Sequence, residues 1–310
     1  MRYARRCRKI CRVVWPDGLT DALAGADGRL LTAAIALHVC GQVARGIAWR
    51  GVLAATWPAV TRRQVCAWHV CGAGLTGLLS VRGGDAVRIA LARRELPGAT
   101  WPTLAGTLCA EGSVEVVCGL VLALATVWLG IDALHGPSLP LLAAVAAAAG
   151  ALALVTLRSA RARRLAREVG RGLAVLRQPR RWAGQVLPWQ VAARALRLAA
   201  VSCFLLAFGL PAAPAVVVAA CAAQGSGAMV PLPGGGPATM AAALLVALPI
   251  AAGHPLDAGA VTALAIAWPA ALTIVGVTLS GALLLALTGG DLRGLRQVVR
   301  AAHADRLAGS

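Results

Sequence analysis

Apolar residues in this chain come in long runs rather than in alternation. Leu139–Leu157 and Val261–Leu287 are two such runs, each close to or above the ~20 residues a helix needs to cross about 30 Å of hydrocarbon. A membrane barrel would instead alternate apolar and polar positions over strands of about 10 residues. The runs predict helices at Leu30–Trp49, from Thr100-Trp101-Pro102 to about Gly130, and at Leu141–Leu157, Val191–Leu210 and Asp257–Leu287. Pro102 would stand in the first turn of its helix, where its missing N–H costs nothing. Weaker segments lie between them: Val65–Val81, rich in glycine and carrying His69, a short basic helix Ala86–Leu96, an apolar stretch Pro211–Met229, and a half-length helix Ala238–Ala252. The expected fold class is all-α, a polytopic helical membrane protein of about six spans plus a re-entrant or broken-helix hairpin, with an internal pseudo-repeat. Residues 1–28 form a basic lead-in, 29–288 the membrane domain with an arginine-rich connector at 158–190, and 289–310 a polar tail.

Composition supports the same solvent. Hydrophobic residues make up 59% of the chain and charged ones 14%, against about 25% charged in a typical soluble domain. The net charge of +18 raises the question of nucleic acid, but its distribution argues for a membrane surface. Nine arginines and one acid, Glu168, fall between Arg158 and Arg181, and Arg2, Arg5, Arg6, Arg8, Lys9 and Arg12 crowd the start. Both clusters flank apolar runs, as segments held on the cytoplasmic side beside anionic lipid do. No aromatic-interleaved basic patch accompanies them, so no nucleic-acid partner is expected. Lys9 is the lone lysine, a bias that, with the heavy use of Ala and Gly, fits a bacterium of high genomic GC content. The expected location is the bacterial cytoplasmic (inner) membrane with both termini and both clusters cytoplasmic. Arg50, Arg62 and Arg63 then fall outside, against the positive-inside rule.

The nine cysteines are scattered without the spacing of a metal site or a disulfide framework, and no metal or cofactor is expected. Cys7 and Cys11 in the basic start are free thiols or, alternatively, palmitoylation sites. The polar stretch Asp17–Gly28 does not read as the continuation of a signal peptide.

Two places interrupt the apolar pattern in a similar way. One is Gly72, Gly74, Gly77 and then Arg82-Gly83-Gly84-Asp85; the other is Gly225, Gly227 and then Pro231-Leu232-Pro233-Gly234-Gly235-Gly236-Pro237. Each cluster alone would serve close helix packing. As a pair in the two halves of the chain, they point to a cavity built from broken helices. Gly234, Gly235 and Gly236 ahead of Pro237 would leave N–H groups open to a phosphate, whereas Asp85 would cap its own helix. Arg82 and Arg88 flank the first break and suit either a lipid phosphate or an Asp85–Arg88 pair. Glu111 and Glu115 lie one turn apart on one helix, ~13 Å along it, where an ionisable side chain needs a partner. Arg82 or Arg88 is the expected one. Arg45, late in the first span, would stretch to the interface beside Trp49 and Arg50.

The string Leu78-Leu79-Ser80-Val81-Arg82-Gly83-Gly84-Asp85-Ala86-Val87-Arg88 resembles the Pro-x-Arg-x-Gly-Asp/Glu-x-x-Arg pattern of the lysylphosphatidylglycerol synthase transmembrane (flippase-like) family. Glu111 and Glu115 are similar to its acidic pair on the following helix, Pro231–Gly236 to its Pro-Gly-Gly-x-Gly segment, and Arg45 with Trp49 to an early Arg-Trp. The ordered set covers roughly residues 40–290 and departs from the pattern at Ser80, Gly112 and Trp268. The resemblance implies a helical domain that moves or holds a phospholipid or polyprenyl-linked lipid. The expected function is thus a lipid translocase or lipid-binding transporter domain. Its substrate-binding residues would be Arg82, Gly83, Gly84, Asp85, Arg88, Glu111, Glu115, Gly234, Gly235 and Gly236, and its partner an anionic lipid headgroup. No catalysis is expected. The alternatives are a non-catalytic membrane partner that docks a protein at the arginine-rich connector and an integral-membrane transferase acting on a lipid-linked substrate.

Overall fold

A computed structural model describes residues 19–79, 81–128, 160–229 and 235–287. The expected span at 141–157, Cys7 and Cys11, the 231–234 turn and the polar tail lie outside these residues. Among the described residues every regular element is helical: α1 (Leu19–Ala24), α2 (Gly28–Leu53), α3 (Arg62–Leu79), α4 (Val81–Glu95), α5 (Trp101–Trp128), α6 (Ala160–Gly172), a 3-10 turn (Ala174–Arg177), α7 (Pro179–Gln185), α8 (Leu187–Ala207), α9 (Pro214–Met229), α10 (Gly235–Ala252) and α11 (Ala258–Leu287). Three stretches among them are long and apolar enough to cross a membrane: α2, the α7–α8 stretch Pro179–Ala207, and α11.

Local chemistry sets the ends. Asp27 caps α2, its Oδ1 accepting from the N–H groups of Arg29 (2.8 Å) and Leu30 (3.4 Å), and Asp257 accepts from the Gly259 and Ala260 N–H groups at the start of α11. Gly209 stops α8. Its φ of 68° lets the N–H groups of Gly209 and Leu210 return to the carbonyls of Leu206 and Leu205 at 3.0 Å, the Schellman pattern that favours glycine.

Small residues then decide which helices meet. α2 and α8 run antiparallel: Asp27 N–H donates to Ala207 O (2.9 Å) at one end, and Gly51 lies so close to Gln185 O that a Cβ would stand 2.8 Å from it at the other. α3 and α4 form a hairpin. A Cβ on Gly72 would stand 2.6 Å from Gly84 O, and Gln64 donates to Glu95 across the open end (3.0 Å). α11 crosses this hairpin where Gly74 meets Gly276 and Ser280 Oγ donates to the carbonyls of Val70 (3.2 Å) and Cys71 (3.1 Å). Its first half packs on α8 through the stacked rings of Phe204 and Trp268, 5.4 Å apart. α9 and α10 form a second hairpin against α11 and α8.

The hairpins point in opposite directions. The first opens on the side of the arginine-rich connector, where Thr100 Oγ1 donates to Glu168 on α6 (2.9 Å) and Trp57 Nε1 to Pro97 O (3.0 Å). The second opens at the far end, where α8 stops and α11 starts.

Four expectations change. The break at Arg82–Asp85 is not a loop: α4 starts at Val81, so Gly83 and Gly84 are buried helical residues and Asp85 lies inside the helix rather than at its cap. Arg45 does not stretch to the interface beside Trp49; it turns inward to Glu111, and Trp49 is fully buried. Arg50, Arg62 and Arg63 do not oppose the connector. Arg181 Nη2 donates to Ala54 O at 2.7 Å, which sets the α2–α3 loop and the connector on one side and removes the conflict with the positive-inside rule. Residues 19–27, expected on the connector side, sit at the opposite end with the last turn of α8.

Candidate functional site

α2 carries His38, Gln42, Arg45 and Trp49 at intervals of four, three and four residues, which places them on one face. That face lies between an apolar core reached by Ala34, with α8 to α11, and a second core reached by Ala48–Ala54, with α3, α4 and α5. His69 from α3, Asp85 and Arg88 from α4, and Thr107 and Glu111 from α5 close on it. Glu111 stands ten residues into α5, about 15 Å along the axis.

Arg88 is the centre. Its Nε lies 3.1 Å from Asp85 Oδ1, and its Nη1 lies 3.0 Å from Glu111 Oε2 and 2.9 Å from His69 Nδ1. Its Cζ stands 5.0 Å from the centroid of the Trp49 ring, within cation–π range. The contact of Nη1 with Glu111 Oε2 is an ion pair, and that buried oxygen has no hydrogen-bond donor among the described residues. Glu111 Oε1 takes Arg45 Nη2 at 3.3 Å. Two guanidinium groups thus share one carboxylate that is 1% exposed, while Asp85, the other acid in the cluster, is 47% exposed.

A guanidinium has donors only, so the His69 Nδ1 facing Arg88 carries no proton and Nε2 does. His69 Nε2–H then donates to Gln42 Oε1 (3.2 Å), and the Gln42 amide donates to His38 Nε2 (3.2 Å). Trp49 Nε1 donates to Thr107 Oγ1 (3.1 Å), which locks the ring under Arg88. A chain of polar contacts therefore runs from Glu111 and Arg88 through His69 and Gln42 to His38 on α2. Elsewhere, on α8, Arg197 Nη2 donates to Gln224 Oε1 on α9 at 2.6 Å.

Of the residues singled out in the sequence, Asp85, Arg88 and Glu111 meet here. Gly84 serves packing, since a Cβ there would collide with Gly72 O and Thr76 Oγ1, and Gly83 is buried beside it in the first turn of α4. Arg82 lies in the first turn of α4 and Glu115 one turn beyond Glu111 on α5; Gly235 and Gly236 open α10 on the other hairpin, and Gly234 lies outside the described residues. His38, Gln42, Arg197 and Gln224 were not anticipated. The first two, with Arg45 and Trp49, are legible as a face of constant helical spacing within an apolar run. No group of three His, Cys, Asp or Glu side chains placed to hold a metal occurs among the described residues. No protein family, curated protein or solved structure matches the chain.

Proposed function

We propose that this chain is a lipid translocase or lipid-binding transporter domain that takes an anionic headgroup, of a phospholipid or a polyprenyl-linked lipid, through a bacterial inner membrane while the acyl tails stay in the bilayer. The observation that carries the reading is the buried Arg88–Glu111–Arg45 cluster, which sits on an interrupted hairpin between two apolar cores. Ionisable groups at membrane depth are costly and are associated with substrate paths. Two arginines held by one buried carboxylate can exchange that carboxylate for a phosphate, which would replace the hydration the headgroup loses on leaving water. The opposed hairpins suit an inverted pseudo-repeat, with α3–α4 and α9–α10 as re-entrant elements within about six spans. The single side shared by Arg50, Arg62, Arg63 and the connector would be cytoplasmic.

The direct test is lipid transfer in reconstituted vesicles. Arg88→Gln should abolish transfer of a headgroup-labelled anionic lipid while the protein still inserts and folds. Wild-type transfer by the folded variant would sink the reading. A second reading is supported by the closed Gly72–Gly84 and Gly74–Gly276 contacts: a non-catalytic membrane partner, in which the polar cluster only fixes helix register. It predicts no transfer by the wild-type protein above protein-free vesicles and a protein captured through the connector. An integral-membrane transferase would need acid, base and metal-binding groups at one depth; product formed by the purified protein would support it.

A further inference from the structure

One cavity, of about 140 Å3, lies on the connector side, away from the Arg88 cluster. Arg50, Arg62, Gln185 and Trp189 line it, with Ile47 and Gly51. It exists because of the fold: Gly51 lets the Gln185–Val186 backbone close on α2, and Arg181 clamps the α2–α3 loop through Ala54 O. None of its lining residues is acidic. Arg50 Nε donates to Val60 O (3.3 Å), and Arg50 and Arg62 both line the cavity. Arg181 Nε donates to Gln185 Oε1 (3.3 Å), so the Gln185 NH2 is the end left to donate. Trp189, in the first turn of α8, is 36% exposed, as a ring at the lipid–water boundary is.

Two cationic forks, an amide donor and a boundary aromatic select a compact anion with several acceptor oxygens. The volume is close to that of a cavity that admits benzene and well below the about 300–1,000 Å3 of a drug-sized pocket. It therefore fits one phosphate group with little beyond it. We propose that this cavity binds the phosphate of an anionic phospholipid on the connector side, before or after its passage by Arg88. The inference rests on the lipid-handling reading and adds a second, peripheral phosphate site to it. Free phosphate shares the chemistry, and the test separates the two sources.

The purified full-length protein is titrated in detergent with phosphatidylglycerol or with inorganic phosphate, and bound ligand is counted by native mass spectrometry. Arg62 is exposed, so Arg62→Gln leaves the fold intact; Arg50→Gln is read beside a melting curve. Each variant is expected to weaken phosphatidylglycerol binding by roughly ten-fold, the loss of a charge-assisted contact. Unchanged affinity in Arg62→Gln and folded Arg50→Gln overturns the site. Arginine-dependent binding of inorganic phosphate without any of phosphatidylglycerol overturns the lipid as its source. If Arg88→Gln abolishes transfer while both pocket variants bind lipid normally, the pocket alone falls. If Arg88→Gln transfers normally while the pocket variants bind poorly, the pocket stands and the path by Arg88 falls.

Discussion

Replacing Glu111 by leucine removes the carboxylate that Arg88 meets at 3.0 Å and Arg45 at 3.3 Å. Arg88, 8% exposed, keeps the half-exposed Asp85 and His69 as partners, and Arg45, 29% exposed, can relax toward the surface. Breaking a buried ion pair on one side costs about 3–5 kcal/mol; with these remaining contacts, Glu111→Leu belongs near the lower end, about 3 kcal/mol. Arg88→Met leaves Glu111 buried but still held by Arg45, and a similar cost follows. The double variant removes both charges, and exchanging a buried pair for apolar side chains is often close to neutral. It should therefore cost no more than either single change, a coupling of about 3 kcal/mol, at the top of the range for contacting residues. Reversible unfolding in mixed micelles, followed by far-UV circular dichroism, gives the four stabilities. Single-variant costs that add to within about 0.5 kcal/mol in the double variant would show that the two side chains do not act as a unit, and the site as described would be refuted.

Three further outcomes follow from the packing. Gly74→Val should destabilise by about 1–3 kcal/mol through collision with Gly276 O, whereas Gly112→Ala, with open space around its Cβ, should stabilise by about 0.5–1 kcal/mol; melting curves of the two variants decide it. Asp27→Ala should cost about 1 kcal/mol by freeing the first N–H groups of α2, measured in the same micelle unfolding, and no change would mean that the cap is not formed. In a background without native cysteines, Arg63→Cys and Arg180→Cys should react with an impermeant thiol reagent from one side of the membrane and Asp21→Cys from the other. Labelling of all three from one side would contradict the antiparallel pairing of α2 with α8.

The helical, membrane-embedded class was legible in the runs of apolar residues, because a chain that leaves water must satisfy every backbone group within its own helix. Helix starts at Pro102 and near Asp257 were legible for a similarly local reason, since caps and first-turn prolines act within four residues. That Glu111 needs a basic partner, Arg82 or Arg88, could be read from its place along the helix; only the packing chose Arg88. What the chain could not disclose by local rules was which helix each glycine serves. The stretch Arg82-Gly83-Gly84-Asp85 reads as a loop in one dimension and is helix in three, because Gly72 and Thr76 fill the space a side chain on Gly84 would need. The direction of Arg45 followed from the same cause, for only the placement of α5 beside α2 puts a carboxylate within its reach. The sequence by itself decided the solvent, the helices and the charges to be neutralised. Tertiary packing decided the side on which the arginines gather, the closing of α3 on α4 and the polar cluster around Arg88, because these depend on contacts between residues far apart in the chain.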